Sequence, residues 1–156
     1  MLMKKNIVIG CDNAAVGLKK VIMKLLDDLG YTYEDVGVTG EEDQTYYPNV
    51  AKIVCEKIIA SGYQKEGILI CGTGIGMAIT ANKFPGIYAA VCHDNYSAER
   101  ARLSNNTNVI CMGARIIGPE LAKKVMKEWL SLEFQGGSSQ AKVDTIKGIE
   151  HTICGR

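Results

Sequence analysis

The stretch Ile68-Leu69-Ile70-Cys71-Gly72-Thr73-Gly74-Ile75-Gly76 joins an apolar run to a glycine-rich turn, and a helical pattern follows it. The run predicts a buried strand whose carboxyl end, at Cys71, lies beside a helix N-terminus. Free N–H groups and the positive helix dipole lower the pKa of a thiol there. The same N–H groups, from Gly72 to Gly76, suit an oxyanion or a phosphate. We therefore expect a base or nucleophile and an anion-binding site in one short segment.

Strand-like and helix-like patterns alternate along the rest of the chain. Apolar runs predict strands over residues 6–10, 67–71, 88–92 and 108–112, and the pattern at residues 33–38 predicts a short second strand. Apolar residues at helical spacing predict helices between the strands, among them 73–84 and about 94–103. Short, uniformly apolar strands separated by helices indicate a parallel sheet covered on both faces. The predicted fold is α/β: a doubly wound, Rossmann-like or flavodoxin-like five-stranded parallel sheet, with helices on both faces and an extra C-terminal helix.

The 156 residues suit one domain spanning 1–156, and we find no internal repeat. Gly136 and Gly137 break the chain before the last helix, at about 139–153. That helix has its own apolar stripe, so it can pack on its own sheet, which the sequence slightly favours, or on a partner subunit.

Composition excludes several classes of protein. A formal net charge of +1 gives no basic surface for nucleic acid, and no apolar run reaches membrane-spanning length. Residues 1–5 lead straight into a strand-like run, so we expect no signal peptide and a cytoplasmic location. None of the six cysteines forms a C-x-x-C pair, which disfavours zinc and thioredoxin-type sites. Apart from Cys71, we interpret the cysteines as buried small apolar residues in a reducing compartment.

Polar side chains follow each predicted strand at its carboxyl end, where doubly wound folds bind their ligands. In strand order they are Asp12 with Asn13, Tyr47, the segment Cys71 to Gly76, His93, and Arg115. Asn105, in contrast, comes just before the fifth strand. Simple topology therefore places Asn105 at the opposite edge of the sheet.

Each of these residues also has a purely structural interpretation. Asp12 is typical of a helix cap, His93 of a partly exposed loop histidine, and Arg115 of either a solvated surface residue or an anion ligand. The glycine motif is neither the dinucleotide fingerprint nor a P-loop, and alone it fits tight helix–strand packing equally well. Two histidines and no G-x-S-x-G elbow make a serine hydrolase triad hard to build.

With these residues placed, the chain resembles the ribose-5-phosphate isomerase B family, which includes the galactose-6-phosphate isomerase subunits. The resemblance covers nearly the whole chain. The segments that carry it are Ile9-Gly10-Cys11-Asp12, Tyr47-Pro48, Ile70 to Gly76, Ala81-Asn82-Lys83, Tyr96-Ser97-Ala98, Asn105 to Val109, Gly113-Ala114-Arg115 and Gly136-Gly137.

The resemblance implies an aldose–ketose isomerase that works through an enediolate, without metal or cofactor. It implies a small sugar phosphate as substrate, ribose 5-phosphate by default, and a homodimer or tetramer whose sites are completed by the partner subunit. Cys71 matches the base that moves a proton between C1 and C2, and Thr73 matches a residue assisting transfer between the two oxygens. The expected substrate-binding residues are Asp12, Asn13, Tyr47, Gly72, Gly74, Ile75, Gly76, His93, Asn105, Arg115 and Lys142.

Four positions depart from the family pattern. Asn13 stands where a histidine usually follows the aspartate, and Ser104 stands where the ring-opening histidine usually precedes the asparagine. Ser138 and Lys142 stand where two arginines usually hold the phosphate. A serine hydroxyl is a poor acid or base near pH 7, which leaves His93 as a candidate replacement. Lysine offers a point charge in place of a bidentate fork, so the phosphate site is weaker.

These departures suggest a substrate whose ring needs little help to open. A tetrose 4-phosphate cannot close a five-membered ring because its O4 carries the phosphate, whereas ribose 5-phosphate is mostly closed. Alternatives to ribose 5-phosphate are therefore a tetrose 4-phosphate, allose or allose 6-phosphate, and galactose 6-phosphate. A non-catalytic phosphate- or nucleotide-binding module is the alternative class. A flavin or nicotinamide oxidoreductase is disfavoured because the fingerprint is absent.

Overall fold

The computed structural model describes residues 3–155. Met1, Leu2 and Arg156 lie outside it, and with them part of the stretch that bears on a signal peptide. Within residues 3–155 five strands form: β1 (Asn6–Cys11), β2 (Tyr33–Gly37), β3 (Lys65–Cys71), β4 (Ala89–Val91) and β5 (Val109–Gly113). The α-helices of this part are α1 (Val16–Asp28), α2 (Tyr47–Ala60), α3 (Ile75–Ala81), α4 (Asn95–Leu103), α5 (Pro119–Leu130) and α6 (Gln140–Cys154).

The strands form one parallel sheet in the order β2-β1-β3-β5-β4. Helices α2 and α3 pack together on one face, and α1, α4 and α5 lie on the other. The three central strands are almost entirely buried, because both of their faces are covered. The predicted doubly wound α/β fold is thereby confirmed.

Two strand glycines let α2 approach the sheet closely. A Cβ atom at Gly10 of β1 would lie 2.6 Å from a methyl group of Val50. At Gly67 of β3 it would lie 3.0 Å from methyl groups of Val54 and Ile58. Glycine at these two positions therefore lets α2, whose first turn carries Tyr47, pack directly against the sheet.

Two predicted elements are shorter in the structure. Strand β4 covers only Ala89–Val91 and is a half-exposed edge strand, although Tyr88 and Cys92 at its ends still bond to the backbone around β5. Helix α3 covers Ile75–Ala81 and not 73–84, because Gly74 adopts φ +79°, which keeps the chain in a turn until Ile75. At the other end, the amide of Asn82 exchanges hydrogen bonds with the backbone of Ala89 and stops the helix.

A buried ion pair fixes the loop that leads into β5. The Arg102 guanidinium donates to the Glu66 carboxylate (2.9 Å) and to the Thr107 carbonyl oxygen (2.7 Å). It also stacks on the Trp129 ring, 4.1 Å from its centroid. Because Arg102 and Glu66 are both buried, breaking the pair would leave an uncompensated charge in the interior. The segment that carries Ser104 and Asn105 is therefore held at the start of β5.

Helix α6 contacts the rest of the chain over a small part of its surface. Val143 is buried, and the Glu150 carboxylate accepts hydrogen bonds from the Gly86 N–H (3.0 Å) and the Tyr88 hydroxyl (2.8 Å). Ile146 and Ile149 on the same helix are exposed.

No helix within residues 3–155 combines the length and the apolar character that crossing a membrane requires.

Candidate active site

The candidate site lies where β1 and β3, neighbours in the sheet, send the chain to opposite faces. The chain leaves β1 for α1 on one face and leaves β3 for α3 on the other, which opens a crevice at their carboxyl ends. The Asp12 N–H donates to the Ile70 carbonyl oxygen (3.2 Å), so Asp12 stands beside the end of β3. The sequence-predicted meeting of Asp12 and Cys71 at one sheet edge is thus seen.

Cys71 is held by the turn that follows it. The backbone N–H of Gly74 donates to the Cys71 Sγ at 3.1 Å, and only 4% of the cysteine is exposed. Gly74 must be glycine, because its φ is +79° and a Cβ atom there would lie 2.9 Å from the Met112 backbone. A donor aimed at the sulfur stabilises negative charge on it, which suits a base.

Thr73 caps the beginning of α3. Its Oγ1 accepts the Ile75 N–H at 3.3 Å, and the residue is exposed at the mouth of the turn. The N–H groups of Gly74 and Ile75 are therefore used inside the turn. Of the predicted anion-binding set, the N–H groups of Gly72, Thr73 and Gly76 remain for a ligand, as far as bonds within residues 3–155 show.

Arg115 reaches the site through a turn anchored on β3. The Ala114 N–H donates to the Cys71 carbonyl oxygen (2.8 Å), and the Arg115 N–H donates to that of Gly72 (3.0 Å). The guanidinium lies over Gly72, where a Cβ atom would be 3.4 Å from Nη1. Arg115 is exposed, so its charge is accessible to an anionic ligand beside Cys71.

The Asp12 carboxylate is the helix cap that the sequence allows, and its role in binding substrate stays a prediction. One oxygen, Oδ1, accepts the Ala14 N–H at 3.0 Å and so caps the turn before α1. Burial raises the pKa of Asp12, although the Ala14 N–H and the Arg115 charge act in the opposite direction. The second oxygen is left to accept a hydrogen bond from a hydroxyl group.

A cavity of about 340 Å³ opens next to Asp12, between Asn13 and the loop Gln44–Pro48. The Tyr47 ring closes one side of it and lies against α3, where a Cβ atom at Gly76 would be 2.4 Å from the ring. Sequence reasoning missed Gln44, because one polar residue in a polar loop carries no signal. Asn13 and Tyr47 do stand beside Asp12, as expected.

His93 faces the last residue of β5. Its Nε2 accepts the Gly113 N–H at 2.8 Å. Burial lowers the pKa of His93, while the neighbouring Asp94 carboxylate acts to raise it. Since one ring nitrogen already serves the backbone, only Nδ1 remains for any other partner.

Asn105 and Lys142 are not brought to Cys71 within one subunit. Asn108, just after Asn105, accepts the Gly67 N–H at 2.9 Å, at the amino edge of the sheet. Gly67 lies four residues before Cys71 on β3, a distance of about 13 Å at the usual strand rise. Lys142 lies on α6, whose Glu150 is bonded at the amino end of β4.

The remaining cysteines differ from Cys71. Burial raises the pKa of Cys11 and Cys92 to about 11 and that of Cys55 to about 12, and Cys111 is shifted upward as well. These four are buried, as expected. The expectation was wrong for Cys154, which is exposed on the last turn of α6, a helix in which Val143 is the one buried residue. Within residues 3–155, no cluster of His, Cys, Asp or Glu side chains is arranged to hold a metal ion.

Comparison with known proteins gives one consistent family. A model described as Ribose/Galactose Isomerase matches residues 7–146. D-erythrulose-4-phosphate isomerase of Pectobacterium atrosepticum is 50% identical over 146 residues, which cover 94% of this chain and 95% of that protein. Ribose-5-P isomerase B of Listeria innocua is 47% identical over 145 residues, covering 93% and 97%.

Solved structures agree with these relatives. Ribose-5-phosphate isomerase B of Clostridium thermocellum superposes with a TM-score of 0.89 at 39% identity, covering 95% of this chain and 99% of that chain. The corresponding enzyme of Mycoplasma genitalium, with bound ribulose-5-phosphate, gives a TM-score of 0.89 at 33% identity and covers 96% and 98%.

Proposed function

The chain belongs to the ribose/galactose isomerase family, and we propose that it interconverts an aldose phosphate and the matching ketose phosphate through an enediolate. One observation carries the proposal. The sulfur of Cys71 accepts the Gly74 N–H and lies at the same sheet edge as Arg115 and Asp12. A base, a cation for an anionic group and an acceptor for hydroxyl groups are thus side by side.

Proton transfer follows from this geometry. The Cys71 thiolate removes the proton from C2 of the open-chain aldose, and the electron pair moves onto the carbonyl oxygen to give the enediolate. The Thr73 hydroxyl relays a proton between O1 and O2. The same thiol then returns its proton to C1, which gives the ketose. No atom is gained or lost.

Stabilising the enediolate is the decisive energetic step, because a proton alpha to a carbonyl is too weak an acid for an unaided base. Hydrogen-bond donors that point at the developing oxyanion are worth roughly 3 kcal/mol each. The N–H groups of Gly72, Thr73 and Gly76 remain to supply them. Arg115 holds the anionic end of the substrate and Asp12 its hydroxyl groups, which keeps C1 and C2 over the sulfur.

We also propose that a second copy of the chain completes each site. Asn105 lies at the amino edge of the sheet and Lys142 on α6, whereas Cys71 lies at the carboxyl edge, which supports a contribution across a dimer interface. In a homodimer with two such shared sites, each site takes Cys71 from one subunit and Asn105 from the other.

Mixing two inactive variants tests this arrangement. One variant carries Cys71→Ala and the other carries both Asn105→Ala and Lys142→Glu. If sites are shared, random exchange of subunits leaves one intact site in each mixed dimer and restores about one quarter of the wild-type activity. No recovery after verified subunit exchange would contradict the shared site.

A tetrose 4-phosphate is the substrate that we favour. The Oγ of Ser104, at the position of the ring-opening histidine, accepts only a 3.3 Å bond from Arg100 within the described residues. The Nε2 of His93 is already bonded to Gly113, so His93 is poorly placed as a replacement. A tetrose 4-phosphate needs no such group. The Pectobacterium relative, 50% identical, is a D-erythrulose-4-phosphate isomerase.

Ribose 5-phosphate is the second candidate, because the relative from Listeria is a ribose-5-P isomerase B. Comparing kcat/KM on erythrose 4-phosphate and ribose 5-phosphate separates the two. We expect at least a ~10-fold preference for the tetrose, a difference of about 1.4 kcal/mol in transition-state stabilisation. Preference for the pentose would overturn the substrate assignment, and turnover of no aldose phosphate would overturn the isomerase itself.

The proposed compartment is the cytoplasm. All six cysteines are free, and five of them are buried in or beside the core. Free thiols in such number are typical of proteins kept in a reducing environment, which supports the proposal.

A further inference from the structure

The imidazole of His93 takes the place of a strand carbonyl beside β5. The last backbone bond between β4 and β5 runs from the Cys92 N–H to the Cys111 carbonyl oxygen, at 3.0 Å. Two residues further on, the Gly113 N–H donates to His93 Nε2 and not to backbone. The side chain therefore continues the pairing where the two backbones separate.

Gly113 is also the first residue of the turn that carries Arg115. Its carbonyl oxygen accepts the N–H groups of Ile116 and Ile117, both at 3.0 Å. On the β3 side, the turn is held by the backbone bonds to Cys71 and Gly72 described above. On the β4 side, the turn is held by the hydrogen bond from the Gly113 N–H to His93 Nε2.

Little room exists for Gly113 to move. A Cβ atom on it would lie 2.5 Å from Thr73 Cα and 2.6 Å from the Gly72 carbonyl oxygen. Because backbone closes this side, Gly113 can move only away from the Gly72–Thr73 segment, and the turn that carries Arg115 would move with it.

We propose that His93 is a positioning residue for anion binding: by accepting the Gly113 N–H, its neutral imidazole holds the Gly113–Ile117 turn so that the Arg115 guanidinium stands against Gly72. The inference rests on the proposed function, because the ligand of Arg115 is the substrate phosphate. His93 carries its proton on Nδ1 in this arrangement and transfers none in the reaction.

Two substitutions at His93 separate the hydrogen bond from the space that the ring fills. His93→Leu removes the acceptor, whereas His93→Gln offers an amide oxygen at about the reach of Nε2. For erythrose 4-phosphate we expect His93→Leu to raise KM about 10-fold while kcat changes less than about 3-fold, the pattern of lost binding that is uniform in ground and transition states. His93→Gln should restore most of the KM. The loss should be smaller for unphosphorylated erythrose.

Binding of inorganic phosphate, measured by calorimetry, keeps this inference separate from the proposed function. Weaker phosphate binding in His93→Leu and recovery in His93→Gln support the positioning role even if no aldose phosphate is turned over. If His93→Leu changes neither KM nor the affinity for phosphate, the positioning role is overturned. The proposed function still stands in that case, provided that the enzyme turns over an aldose phosphate. Failure of His93→Gln to rescue, or an equal loss for erythrose and its phosphate, also overturns it.

Discussion

At the scale of single residues, surroundings separate Cys71 from the other thiols. Cys11 and Cys92 have their pKa raised to about 11 by burial, which keeps them protonated and inert. Cys71 receives the Gly74 N–H. The sequence singled out Cys71, because only Cys71 is followed by a glycine turn and a helix. It could not predict that Nε2 of His93 is bonded to Gly113, since nothing local indicates a bond between separate strands.

Replacing Cys71 tests the role of the sulfur as the base. We expect Cys71→Ala to lower kcat by about 10³-fold or more, since a positioned general base contributes 10²- to 10⁴-fold, and far-UV circular dichroism should be unchanged. Cys154→Ala is the matched control, because Cys154 is exposed and remote in the chain. Comparable kcat values for the two variants would place the base elsewhere.

Acid should weaken the fold partly through His93. Burial holds the pKa of His93 below 6.5, so the unfolded chain binds a proton in a pH range where the folded chain does not. Stability is therefore lost as the pH falls from about 6.5 towards the lower folded value, with Asp94 opposing the effect. Urea unfolding at pH 7.5 and 5.5 should show a smaller loss for His93→Gln than for wild type. Equal losses would contradict the neutral imidazole.

At the scale of secondary-structure elements, the sequence pattern located all five strands, and Pro48 and Pro119 lie in the first turns of α2 and α5. The position of β5 between β3 and β4 could not be predicted, because strand order depends on which face each crossover takes. Sequence reasoning also missed Lys19 of α1. Its buried ammonium bonds the Asp35 carboxylate (2.5 Å) and the Val38 carbonyl oxygen (2.6 Å), a pairing of distant elements.

The contact between the β5 end and the glycine turn should not tolerate a side chain. Gly113→Ala would place a methyl group 2.5 Å from Thr73 Cα, so backbone must move. We expect a loss of about 1–3 kcal/mol of stability and at least a ~10-fold lower kcat/KM. Gly17→Ala is the control: nothing lies within 4 Å, and alanine in a helix should add about 0.5–1 kcal/mol. Equal changes in the free energy of unfolding for Gly113→Ala and Gly17→Ala, measured with urea, would refute the close packing.

At the scale of the whole molecule, the predicted site residues lie on opposite edges of the sheet. Cys71, Asp12 and Arg115 share the carboxyl edge, and Asn105 lies at the amino edge. Topology alone predicted this separation. The sugar could not be predicted with the same firmness, because a few side chains such as Ser104, and not the fold, distinguish members of the family.

Restoring the missing imidazole tests the substrate at this scale. Ser104→His should raise kcat/KM for ribose 5-phosphate by about 10-fold or more, within the range of general acid–base catalysis, because a histidine can assist ring opening. Erythrose 4-phosphate should gain little. Steady-state kinetics on both sugars checks this. An equal gain in kcat/KM on the two sugars would show that position 104 does not act in ring opening.

The central claim is that the sulfur of Cys71 carries a proton between neighbouring carbons of an open-chain sugar phosphate. Proton NMR of erythrose 4-phosphate incubated with the enzyme in D₂O tests it most directly. The account predicts conversion to the ketose, with deuterium at C1 only to the extent that the Cys71 thiol exchanges with solvent before it returns the proton, and neither conversion nor exchange with Cys71→Ala. Conversion or exchange that persists in Cys71→Ala, or no conversion of any aldose phosphate by wild type, would contradict it.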